Sequence, residues 1–172
     1  MPAPDEYDPL PGSFFSGEEK ILATYWLPDQ LKLRTTAAVR YAWEVEALSD
    51  LETQTGLVRV AVDQYVGEME REFNVGRPFP RPEVVPRRRG PKRIGQWVKF
   101  GVYFRESLLS RLVAAAEFSR INGVRPAVGN ANQLVVEALE RYLTQLEGDQ
   151  NRGKPFRGAR RTLPAGRRPA RR

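Results

Sequence analysis

Residues 25–70 and 102–147 of this chain align without a gap at an offset of 77. Nine positions coincide, among them Leu31 with Leu108, Arg34 with Arg111, Ala37 and Ala38 with Ala114 and Ala115, Leu57 and Val58 with Leu134 and Val135, Ala61 with Ala138, and Tyr65 with Tyr142. Helical periodicity can generate some coincidences by chance, but it does not easily reproduce the spacing between three successive elements as well. The chain therefore reads as one structural unit written twice, and any fold proposed for it must accommodate both copies.

Each copy reads strand, helix, helix. In "WVKFGVYF" (97–104), Val98, Phe100, Val102 and Phe104 point one way while Lys99, Gly101 and Tyr103 point the other, the two-residue period of a half-buried strand. Arg105 and Glu106 then open a helix with Leu108, Leu112, Ala115 and Phe118 at three- and four-residue spacing, which Gly123 and Pro126 end. The Asn130/Asn132 neighbourhood supplies N-cap candidates for a second helix, whose apolar stripe runs through Leu134, Val135, Ala138, Leu139, Tyr142, Leu143 and Leu146. In the first copy, Leu57, Val58, Ala61, Val62, Tyr65, Val66 and Met69 match that stripe position by position. A lone strand cannot satisfy its own backbone donors and acceptors, so 97–104 requires a partner. The repeat supplies "ILATYWL" (21–27), with Ala23, Tyr25 and Leu27 inward and Leu22, Thr24 and Trp26 outward, ended by Pro28. The segment joining the copies, 75–96, is ample to return the second strand alongside the first at about 3.3 Å per residue.

The net charge of +7 is unevenly placed. Counting Lys plus Arg against Asp plus Glu, residues 1–74 hold 6 against 14, 75–96 hold 7 against 1, 97–150 hold 6 against 6, and 151–172 hold 9 against none. Proline and glycine crowd the two basic segments, which are expected to be extended and mobile, and mobile cationic arms suit a polyanion. The expected organisation is a disordered N-terminal segment (1–19), a first unit (20–74), a basic Pro/Arg-rich linker (75–96), a second unit (97–148) and a disordered Arg-rich tail (149–172).

Cysteine and histidine are both absent, which removes disulfides, thiol nucleophiles, the usual zinc sites and histidine general bases. Glu44, Glu46, Asp50 and Glu52 cluster between the helices of the first unit, but a solvated charged face is the commoner cause, and no ligand spacing or glycine-rich phosphate loop accompanies them. No enzymatic activity, metal or cofactor is expected. The sequence holds no apolar run long enough for a membrane span, and "MPAPDEYDPLPG" lacks a basic n-region and an apolar h-region. These features predict a cytoplasmic protein and no membrane partner.

An alternating strand, an acidic residue at the first helix start (Glu106), a small-polar turn and an Ala-Leu-x-x-Tyr run (Ala138, Leu139, Tyr142) together resemble the ribbon-helix-helix DNA-binding family (Arc/MetJ/CopG-like) over about 50 residues. The resemblance implies a mainly α fold with a short two-stranded antiparallel ribbon, here from two tandem units forming an intrachain pseudo-dimer. It implies that the ribbon enters the major groove of double-stranded DNA. The base-contacting residues would be Lys99, Gly101, Tyr103, Leu22, Thr24 and Trp26, although Gly101 departs from the usual polar residue. It implies phosphate contacts at the starts of the second helices (Asn130, Ala131, Asn132 and Thr53), and the linker adds Arg87, Arg88, Arg89, Lys92 and Arg93. An asymmetric ribbon suits a non-palindromic half-site. The family contains tandem versions among accessory proteins of conjugative plasmids, and its members often bind adjacent half-sites cooperatively.

Three functions follow in order: a sequence-specific transcriptional regulator acting as a repressor; an accessory DNA-binding protein of plasmid conjugation or partition, whose tail would contact a second protein or neighbouring DNA; and an assembly module of acidic helices that binds no DNA.

Overall fold

The computed structural model describes residues 19–83 and 93–157. Among them the chain is mainly helical: strand β1 (Lys20–Pro28), helix α1 (Asp29–Glu44), a 3-10 segment (Glu46–Leu51), α2 (Gln54–Phe73), β2 (Trp97–Arg105), α3 (Glu106–Asn122) and α4 (Ala131–Asn151). The expected disorder of 1–18, 84–92 and 158–172 concerns residues outside those described, as do the expected phosphate contacts Arg87, Arg88, Arg89 and Lys92.

The two strands form one antiparallel ribbon. Inward pairs are Ile21 with Phe104, Ala23 with Val102, Tyr25 with Phe100, and Leu27 with Val98. Outward pairs are Leu22 with Tyr103, Thr24 with Gly101, and Trp26 with Lys99. The period of two thus places the apolar set on the helices. Each strand passes directly into its helix, and the junctions close the ribbon ends: the Asp29 N–H donates to the Gln96 carbonyl (3.0 Å) and the Glu106 N–H to the Glu19 carbonyl (3.2 Å).

Beneath the ribbon lies a single core drawn from both repeats. Leu27, Leu31, Leu57, Val58, Val62, Val66 and Met69 are buried together with Phe104, Leu112, Leu134, Val135, Leu139 and Leu143. Helix α2 packs on α3 and α4, and α1 packs on α4, so each repeat completes its apolar face against the other.

Polar contacts repeat at the same offset of 77. Thr53 Oγ1 accepts from the Gly56 N–H to cap α2, and Asn130 Oδ1 accepts from the Gln133 N–H to cap α4, both at 2.9 Å. Arg111 reaches Glu70 through Nε (3.0 Å) and Nη2 (2.7 Å), while Arg34 reaches Glu147 through Nε (3.1 Å) and Nη2 (2.8 Å). Each pair joins the first helix of one repeat to the second helix of the other.

The ends of the second helices extend the repeat beyond the boundaries expected from sequence. Helix α4 continues past residue 148 to Asn151, and both second helices end in a left-handed turn, Val75–Gly76 (φ 54° and 74°) and Arg152–Gly153 (φ 54° and 75°). In each turn the glycine N–H donates back into the helix, Gly76 to the Glu70 carbonyl (2.8 Å) and Gly153 to the Glu147 carbonyl (2.9 Å). The Asn74 amide then donates to the carbonyls of Arg77 and Pro78, and the Asn151 amide to those of Lys154 and Pro155. Two straps result. Phe79 stacks on Phe118 (4.3 Å between centroids, 23°) and Phe156 on Tyr41 (4.4 Å, 23°), each phenylalanine covering a ring on the first helix of the other repeat. Phe79 and Phe156 are therefore ordered parts of the fold and not of the linker and tail.

Candidate nucleic-acid interface

The outward ribbon face carries Lys20, Leu22, Thr24 and Trp26 on β1 and Lys99, Gly101, Tyr103 and Arg105 on β2. No carboxylate stands among them. Thr24 and Gly101, which are paired across the strands and separated by 77 positions, mark its centre. All six residues expected to read bases are on this face: Leu22, Thr24, Lys99, Gly101 and Tyr103 are exposed and Trp26 is half-buried.

One end of the ribbon is pinned. The Trp26 N–H donates to Asn132 Oδ1 (2.7 Å) and Asn132 Nδ2 donates to the Trp26 carbonyl (2.9 Å), so the start of α4 grips the ribbon edge by both backbone groups of one residue. Because these groups point away from β2, Trp26 and Lys99 form a non-hydrogen-bonded pair, and so do Thr24 with Gly101 and Leu22 with Tyr103. Arg93 lies over the indole of Trp26 (4.5 Å) and farther from that of Trp97 (5.9 Å), whose Nε1 donates to the Ile94 carbonyl (2.9 Å). Arg93 thus holds a fixed cation beside the ribbon.

The expected phosphate-contacting side chains at the helix starts have internal duties. Thr53 and Asn130 are occupied as caps and Asn132 as the ribbon clamp, while Ala131 is half-buried at the head of α4. What these positions offer an anion is the backbone of a helix start rather than a side chain. The two starts differ in charge: Asp50 and Glu52 precede Thr53, whereas residues 123–133 contain Arg125 and no acid.

Sequence reading missed a polar network beside the ribbon. Lys32 Nζ donates to Gln54 Oε1 and lies 4.1 Å over the Phe100 ring, and Gln54 Nε2 donates to Thr36 Oγ1 (3.1 Å). Burial pulls the Lys32 ammonium down to a pKa of about 8. Seventy-seven residues on, the same three positions are Leu109, Ala131 and Val113, all packed against the core. A coordinated change of three positions was visible in the aligned repeats.

No helix among the described residues is long and apolar enough to cross a membrane. No protein-family model matches the chain, and neither the curated proteins nor the solved structures include a significant match to it.

Proposed function

We propose that this chain is a sequence-specific double-stranded DNA-binding protein of the ribbon-helix-helix kind, its two tandem units forming a pseudo-dimer within one polypeptide, and that it acts as a transcriptional repressor. The observation that carries this reading is the outward ribbon face: a two-stranded antiparallel ribbon bearing Lys20, Lys99 and Arg105, free of carboxylates, with Arg93 fixed alongside and the start of α4 bonded to its edge. A ribbon of two strands is an element that the major groove admits, and cations beside it neutralise phosphates while side chains at its crest meet base edges. Reciprocal contacts at an offset of 77 support the pseudo-dimer, because each half completes the other's core, half-buried ion pairs and straps.

Selection from a random duplex library, followed by titration of the selected site, tests the proposal. Exchanging Lys99 and Tyr103 together for alanine should cost about 1 to 3 kcal/mol of discrimination for each base edge no longer read, while leaving thermal stability nearly unchanged. Failure to select any sequence, or unchanged specific affinity in the double variant, refutes the assignment. An accessory role in plasmid conjugation or partition is the second reading, favoured by residues 151–172, which hold nine cations and no acid. It gains if removing the tail abolishes binding to a protein partner.

A further inference from the structure

We infer that Leu22 and Tyr103 read pyrimidine 5-methyl groups, so that the two ends of the ribbon recognise chemically different base edges and the chain binds a non-palindromic site in one orientation. The inference rests on the DNA-binding reading above and assigns the chemistry of its two ends.

Leu22 and Tyr103 are directly opposed on the outward face, and they remain 55% and 51% exposed. Neither belongs to the buried core, so packing gives no reason for a leucine at that place. Gly101 shows where the leucine lies: a Cβ built on Gly101 would stand 3.3 Å from Leu22 Cδ1, which is tight contact. Leu22 therefore leans over the glycine toward the ribbon centre, where Thr24 adds a methyl group. Gly101, silent as a reading residue, makes room for an apolar crest formed by its neighbours. The opposite end is cationic, with Lys99 facing Trp26 and Arg93 stacked on that indole.

An apolar crest on an exposed sheet face also suits a protein surface. Charge decides between the occupants: Lys20 and Arg105 face each other just beyond Leu22 and Tyr103, and the ribbon's outward face presents three cations with no carboxylate. Within the major groove of a polyanionic duplex, the apolar group displayed by the base edges is the C5-methyl of thymine, whereas guanine offers acceptors suited to Lys99.

Methyl removal isolates this interaction. The duplex selected by the wild-type chain is prepared again with deoxyuridine in place of thymidine, which deletes the methyl and keeps every hydrogen-bonding group. Wild type should bind the uracil duplex more weakly, by about four-fold for each methyl it buries. Leu22→Ala should lose part of this difference, the double variant Leu22→Ala with Tyr103→Ala should bind both duplexes with nearly equal affinity, and Lys99→Ala should bind more weakly overall while retaining the full difference. Equal wild-type affinity for the thymine and uracil forms of a specifically selected site overturns this inference and leaves the DNA-binding reading standing. Absence of any duplex binding overturns both.

Discussion

Arg34 and Glu147 are 113 positions apart in the chain, yet Nε and Nη2 of the arginine meet the two carboxylate oxygens of the glutamate at 3.1 and 2.8 Å. Only 5% of Glu147 is exposed, and the equivalent Glu70 is 4% exposed beneath Arg111. Bidentate geometry offsets much of the desolvation of these carboxylates, but only while both partners are present. Arg34→Ala should therefore destabilise the protein by about 2 to 3 kcal/mol, since it leaves a buried charge unpaired. The double change Arg34→Met with Glu147→Leu should recover most of that stability. Urea denaturation of the wild type, the single variant and the double variant measures both.

The ribbon register fixes a crosslinking test for strand pairing within one chain. Thr24 and Gly101 face each other as a non-hydrogen-bonded pair, the closer of the two antiparallel spacings, whereas Tyr25 and Val102 are only diagonal neighbours, Tyr25 pairing with Phe100. Thr24→Cys with Gly101→Cys should oxidise to a disulfide that preserves the mass of a single chain under denaturing conditions. Crosslinked dimers alone would show that each strand pairs with another molecule.

Lys32 and Tyr25 give stability a pH profile with a maximum. Unfolded, Lys32 titrates near 10.5; folded, burial lowers it to about 8. Between those values the unfolded chain binds more protons, so stability should climb as pH rises from about 8. Burial pushes Tyr25 up to about 12 from 10.0, so above pH 10 the folded state holds the extra proton and stability should fall. Lys32→Met, which imitates Leu109 in the other repeat, should remove the ascending limb and keep the descending one. Thermal melts between pH 7 and 11 read both limbs.

Val75 occupies a left-handed conformation (φ 54°) with its side chain almost wholly exposed, in a turn where a β-branched residue is disfavoured. Val75→Asn should raise stability by about 1 kcal/mol, because asparagine tolerates the conformation and the valine it replaces buries almost nothing. A lowered melting temperature would show that the turn depends on the valine.

Removing the basic tail is expected to weaken DNA binding through charge alone. The cut belongs after Phe156, because that ring is buried against Tyr41 and a cut at Asn151 would remove it. Truncation there should reduce the slope of log affinity against log salt by about 0.9 for each phosphate that the tail neutralises, and leave the selected sequence unchanged. An unaltered slope, accompanied by failure to bind a protein partner, would favour the accessory role.

The alternation of apolar residues in 21–27 and 97–104, together with their repetition, made the ribbon and its outward face legible in sequence. The helix stripes were legible for the same reason, since periodicity is a local property. Contacts across the repeats were not. Arg34 and Arg111 coincide in the alignment and so do Glu70 and Glu147, yet nothing local to an arginine tells which glutamate it meets; only packing brings them together. The Asn-x-Gly-(Arg/Lys)-Pro-Phe straps at 74–79 and 151–156 were hidden by their setting, because glycine and proline beside basic residues read as linker. Their ordering follows from one asparagine amide and one buried ring in each.

The replacement of Lys32, Gln54 and Thr36 by Leu109, Ala131 and Val113 has a genetic consequence. In an assembly of two identical chains, one codon change alters two places at once, and a residue that suits one side must be tolerated on the other. Here each place answers to its own codon. A leucine can face a tyrosine across Leu22 and Tyr103, and a tryptophan can face a lysine across Trp26 and Lys99, without any residue meeting its own copy. A new outward side chain can thus be acquired on one strand while the other retains the old, a path of single substitutions closed to a symmetric pair.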